Sequence, residues 1–193
     1  MAATASTMVE LGTRAPDFAL RDVRTGRTVR RDEVAGGRGL LVMFICNHCP
    51  YVKHVQDELA RIGRDYAARG VGIVGISAND ATAYPDDGPD ALKEQAERAG
   101  FTFPYLYDET QAVARAYNAV CTPDLFLFGA DQRLVYRGQL DDSRPGNDKP
   151  ITGRDLRTAL DAVIAGQPVF ADQRPSIGCN IKWRPAKPAT AAA

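Results

Sequence analysis

Net charge is the first thing this chain lacks: across 193 residues, 24 Lys and Arg balance 24 Asp and Glu. Without a basic excess there is no field to gather phosphate backbones or anionic lipid, so neither nucleic acid nor a membrane is expected as a partner. No run approaches the roughly 20 apolar residues of a spanning helix. Residues 1–11 lack the basic start and apolar centre of a secretion signal, and are expected to form a flexible leader. Cysteine occurs four times and histidine twice, too few thiols for a disulfide framework in a chain this long. A domain of this size buries about 70% of its unfolded surface without a bridge or a metal. No cofactor and no metal are therefore expected, and the expected location is the reducing cytoplasm.

What is present is an alternation of strand and helix signals. Asp17 to Arg31 carries two short apolar-polar runs around Arg24-Thr25-Gly26-Arg27, the pattern of a β-hairpin. Gly39 to Ile45 is a continuous apolar run, which predicts a strand covered on both faces. From Pro50, Val52, Val55, Leu59, Ile62 and Tyr66 recur at helical spacing up to Gly70, and Val71 to Ser77 is again apolar. Strand, helix and strand in so few residues predict a right-handed crossover with the two strands parallel. Helices are expected from Gly88 to Gly100, from Asp108 through Tyr117, and after a capping pair of Thr152 and Asp155. Asp124 to Arg137 reads as a second hairpin, the polar loop Ala78 to Gly88 as mobile, and Ala186 to Ala193 as a frayed end.

The chemistry concentrates in Cys46-Asn47-His48-Cys49-Pro50. Proline is favoured at the first helical position, so Cys49 is expected at the helix cap and Cys46 in the turn before it. Both sulfurs then lie near the positive end of the helix dipole, which favours a thiolate. Cys46 is the expected attacking thiolate, and a protonated His48 beside it would stabilise that charge. A zinc reading of the four cysteines and two histidines is disfavoured, because only one Cys-x-x-Cys exists.

The strand, the Cys-Asn-His-Cys-Pro-Tyr segment, the crossover and then Cys121-Thr122-Pro123 before a hairpin resemble the thioredoxin superfamily, and within it the peroxiredoxin-like or redoxin (AhpC/TSA-type) members. The resemblance implies an α/β thioredoxin-like fold with a central mixed sheet flanked by helices. It divides the chain into a leader at 1–11, a redoxin domain at 12–168 that carries an N-terminal β-hairpin extension, and a C-terminal tail at 169–193. It also implies that Cys46 attacks a disulfide, that Cys49 resolves the mixed disulfide, and that Pro123 is cis with the Thr122 backbone receiving an extended peptide. Cys121 and Cys179 are candidates for further redox thiols, against the alternative of simple burial. The implied partners are a disulfide-containing protein or small thiol substrate and a reducing or oxidising thiol system, with a homodimer left open.

The sequence departs from the superfamily in two places. Ile45 stands where thioredoxins carry tryptophan, and Leu40 to Ile45 holds no buried acid, so the proton acceptor for Cys49 is open between His48, His54 and water. The peroxiredoxin proline and threonine are also missing: counted back from Cys49 those positions hold Val42 and Cys46, and from Cys46 they hold Gly39 and Met43. The main expectation is thus a thiol–disulfide oxidoreductase. Its rivals are a thiol peroxidase, with Cys49 or Cys46 oxidised, and a non-catalytic binding module that presents the Phe101 to Tyr107 aromatic segment.

Overall fold

The computed structural model describes residues 3–185. Strands and helices follow in the order β1 (Ala3–Ala5), β2 (Ala19–Asp22), β3 (Thr28–Arg30), α1 (Arg31–Val34), β4 (Gly39–Phe44), α2 (Pro50–Ala67), β5 (Val71–Ser77), α3 (Pro89–Ala99), β6 (Tyr105–Tyr107), α4 (Ala112–Ala116), β7 (Cys121–Thr122), β8 (Asp124–Gly129), β9 (Leu134–Arg137), α5 (Arg154–Ile164) and β10 (Ile177–Asn180). A 3-10 turn at Pro85–Asp87 precedes α3. No helix among the described residues is long and apolar enough to cross a membrane.

Every residue of β4 is buried because the strand is central, with β5 parallel on one edge and β8 antiparallel on the other. The seven strands run β3-β2-β6-β5-β4-β8-β9, a mixed sheet. Alternate side chains of β4 feed two cores. Leu41 and Met43 pack with Val52, Val55, Leu59 and Ile62 of α2, and Leu40, Val42 and Phe44 pack with Val113 and Tyr117 on the opposite face. The expected crossover, both hairpins and the buried face of α2 are present in this arrangement.

A second sheet, β1-β10-β7, unites the two ends of the described chain over the start of α2. It corrects one expectation. The supposedly flexible leader forms β1, and Gly12 N–H donates to Leu134 O at 2.8 Å. The proline-rich tail supplies the middle strand of this sheet, because its backbone finds partners on both edges, in β1 and in β7. The frayed end expected at Ala186 to Ala193 lies outside the described residues.

Three smaller expectations also change. Thr152 and Asp155 do not form a reciprocal capping pair: Thr152 Oγ1 accepts from Arg154 N at 3.3 Å, the Asp141 carboxylate accepts from Thr152 N at 2.7 Å and Gly153 N at 2.6 Å, and Gly153 sits at the cap with φ +64°. Phe101, Phe103 and Tyr105 are buried in the core and form no contact surface. The loop from Ala78 to Gly88 is pinned through buried Asn79, Asp80 and Asp87.

Candidate functional site

The main chain leaves β4 at Phe44, and Ile45 N–H still donates to Ile76 O at 3.0 Å, extending the parallel pairing up to the cysteine turn. Cys49 is the N-cap of α2, with Pro50 at the first helical position, as the motif predicts. The turn between them is fastened by a residue that sequence reasoning missed. Asp87, 39 positions downstream, accepts from Asn47 N at 2.8 Å and His48 N at 3.0 Å on one oxygen, and from His48 Nδ1 and Asn79 Nδ2 on the other. Gln95 adds a bond to Cys46 O at 3.2 Å and is itself held by the Tyr105 hydroxyl.

All four cysteines are free thiols and all are buried. Cys46 Sγ lies 3.3 Å from Thr122 Oγ1, and Cys49 Sγ lies 3.2 Å from Thr122 O, so both members of the pair face the residue before Pro123. The Thr122–Pro123 bond is cis. The edge of Thr122 that was expected to receive a substrate peptide is already paired with β10, Cys179 opposite Thr122 and Asn180 opposite Cys121. Gly178 presses so closely on this segment that any side chain there would overlap Thr122 O.

The two sulfurs of the pair differ in acidity. The neighbouring Cys46 sulfur is the largest cause that brings Cys49 down to about 5, against the opposing effect of burial. Burial pushes Cys46 well up, and the neighbouring Cys49 charge adds to it. The negative charge of the reduced pair is thus more easily held on the capping sulfur than on Cys46.

His48 stands beside this charge. The hydrogen bond to Asp87 raises the imidazole above its ordinary 6.5, and the Cys49 charge adds to that rise. Asp87 is pushed up by burial, but the hydrogen bonds from His48 and Asn79 more than reverse this and leave it below the ordinary 3.8. The ring stacks on Tyr84 at 5.2 Å, and its buried Nε2 has no partner among the described residues. Cys46, His48 and Asp87 bring one ligand atom each within 4.8 Å of one another. Both Asp87 oxygens are already filled by N–H donors, so the trio fits an ion pair better than a metal site.

His54 is not part of this group; its Nε2 bonds Ser143 Oγ at 2.8 Å. The buried acid absent from β4 is found on the adjacent strand. Asp124, paired with Phe44 across the sheet, accepts from Ser6 Oγ at 2.6 Å and Val120 N at 3.2 Å, and burial raises it to about 6. Cys121 Sγ donates to Pro123 O at 3.6 Å, and burial pushes that thiol far up, with the Asp124 charge as the next cause. Burial also raises Cys179, to about 12, with the neighbouring Cys49 side chain as the next cause and its charge after that.

A family model described as the AhpC/TSA family matches residues 11–137. Among curated proteins, the thiol-disulfide oxidoreductase ResA of Geobacillus kaustophilus is 31% identical over 127 residues, covering 64% of this chain and 66% of its own. ResA of Geobacillus thermodenitrificans is 31% identical over 134 residues, covering 68% and 70%. The chain spans about two thirds of the length of these relatives. Among solved structures, a conserved protein of Geobacillus kaustophilus superposes with a TM-score of 0.95 at 55% identity, covering 97% of this chain and 99% of that one. A thiol:disulfide interchange protein of the thioredoxin family from Chlorobium tepidum superposes at 0.62 with 18% identity, covering 79% and 97%, and shares the fold.

Proposed function

The chain belongs to the AhpC/TSA family of the thioredoxin superfamily, and from that premise we propose that it is a thiol–disulfide oxidoreductase working through Cys49 and Cys46. The observation that carries this reading is the placing of Cys46 and Cys49 at the cap of α2, both against Thr122 and the cis bond to Pro123, with the His48–Asp87 pair alongside. Such an arrangement stores a nucleophile at neutral pH.

In reduction of a substrate disulfide, the Cys49 thiolate attacks one substrate sulfur, and the other leaves as a thiolate that takes up a proton. Cys46 then gives up its proton and attacks Cys49 Sγ, expelling the second substrate thiolate and leaving a Cys46–Cys49 disulfide. Two electrons pass from the pair to the substrate, and a partner thiol system restores them. His48, as imidazolium, balances the Cys49 charge before attack, and Asp87 fixes the ring through the same carboxylate that holds the turn. This order reverses the roles expected of the two cysteines from sequence alone.

The substrates are thiols or disulfides. Their approach runs beside Pro123, where Tyr51, Leu140, Ser176 and Ile177 line a narrow cleft, and a peptide can pair with Thr122 only when β10 has moved aside. The setting we propose is the cytoplasm, on cysteine spacing alone. Insulin-disulfide reduction with dithiothreitol as donor tests the assignment: Cys49→Ser should fall to the uncatalysed rate, and activity equal to the unaltered chain would refute it.

Peroxide reduction at Cys49 is a second reading, favoured by the family match and by the capping position of the sulfur. Val42 and Cys46 stand where the peroxide-activating proline and threonine would be, which weighs against it.

A further inference from the structure

The pair's chemistry needs two sulfurs, yet the fold brings up a third. β10 is the middle strand of its sheet, and its register sets Cys179 directly opposite Thr122, the residue against which both Cys46 and Cys49 rest. Cys179 is only 2% exposed and packs in the same buried cluster as Cys46 and Cys49. Gly178 permits this approach, since a side chain there would meet the Thr122 carbonyl 2.0 Å away. Three thiols thus gather around Thr122, with Cys46 and Cys49 on the turn side and Cys179 on the strand side.

We propose that Cys179 is a catalytic thiol that exchanges with Cys46 for the bond to Cys49. The proposal rests on the thiol–disulfide reading of the pair. Starting from the Cys46–Cys49 disulfide, the Cys179 sulfur loses its proton and attacks Cys49 Sγ. The Cys49–Cys179 bond forms and the Cys46–Cys49 bond breaks. The electron pair of the broken bond leaves on Cys46, which takes up a proton, so the step is an isomerisation with no net oxidation. The same attack on a mixed disulfide at Cys49 expels the substrate thiolate, so Cys179 can resolve in place of Cys46. In the reduced protein the Cys49 charge helps to hold Cys179 protonated; once Cys49 is bonded to sulfur that charge is gone and the thiol is easier to ionise. A Cys49–Cys179 bond also staples β10 across the pair, while the Cys46–Cys49 bond leaves the strand held by backbone pairing alone.

The test uses the full chain and a chromogenic aryl disulfide, 5,5′-dithiobis(2-nitrobenzoic acid), in a Cys121→Ser background. The Cys46→Ser variant should release about two equivalents of aryl thiolate and end with a Cys49–Cys179 bond by non-reducing peptide mass mapping. Adding Cys179→Ser should stop release at about one equivalent and leave the aryl group on Cys49. A Cys46→Ser variant that also stops at one equivalent, with its adduct as long-lived as that of the double variant, overturns the role of Cys179. Absence of an aryl adduct at Cys49 in the double variant overturns the thiol–disulfide reading itself. The unaltered chain gives a second measurement that depends on no substitution: limited oxidation with diamide should yield both Cys46–Cys49 and Cys49–Cys179 linked peptides. Finding only the first overturns the proposal.

Discussion

Replacing Gly178 with alanine would set the covering strand against the residue it lies on. The new Cβ would fall 2.0 Å from Thr122 O, 2.6 Å from Thr122 C and 3.1 Å from Pro123 N, all backbone atoms that cannot rotate away. Carbon–oxygen contacts between strands settle near 3.3–3.6 Å, so β10 must retreat by about 1.3 Å or more. An N–H···O bond stretched by that much is lost. The two residue pairs that join β10 to β7 would loosen, and at about 1 kcal/mol per bond plus the strain of crowding the cost is roughly 2–3 kcal/mol. If this falls on local release of the strand, the open population rises about 30- to 150-fold. The assay is the rate of iodoacetamide alkylation of Cys49 in the native protein, followed by mass mapping. A thermal melt separates local from global loss, because the same energy spread over the whole domain would lower Tm by roughly 4–12 °C. Alkylation within twofold of the unaltered chain would refute the claim that β10 covers the thiols against reagents.

Two further predictions concern buried charge. Because Asp87 holds His48 above 6.5, the histidine's contribution to stability is fully present below that pH and lost as pH rises through its higher folded value. Asp87 titrates below 3.8, so its own contribution is present above that pH and lost as pH falls through its lower folded value. The Tm difference between the unaltered chain and Asp87→Asn should therefore be largest between about pH 4 and 6.5, and a difference independent of pH would contradict the ion pair. Asp124 has the opposite sense: its folded value near 6 exceeds 3.8, so stability present at low pH is lost as pH rises through 6, by up to about 3 kcal/mol. Urea unfolding should show Asp124→Asn gaining on the unaltered chain between about pH 4 and 7; no relative gain would mean that the carboxyl titrates normally.

The strands and helices that build the main sheet were legible because each carries its own signal. β4 and β5 are apolar runs, α2 repeats its apolar positions at helical spacing, and Cys49-Pro50 marks a helix start. The same locality explains the misses. Asp87 sits in a polar loop whose sequence gives no hint that its carboxylate will reach back 39 residues to the cysteine turn. β10 is four residues long in a segment without periodicity, and its strand character comes from partners at the opposite end of the chain and from β7. The proposed order of the two sulfurs departs from the one read in the motif for a related reason. Position in the motif identifies the two sulfurs, but the balance of charge between them depends on Cys179 and Thr122, both distant in sequence.

The closing of the thiol site across the two ends of the fold has a consequence for synthesis. The main sheet can be completed once residue 137 has emerged, but the enclosure around Cys49 needs residues 177–180 to meet both β7 and β1. A nascent chain thus passes through a stage in which its reactive sulfurs are already positioned and still open. During translation they are more open to cellular oxidants and alkylators than in the finished protein, where all four thiols are buried.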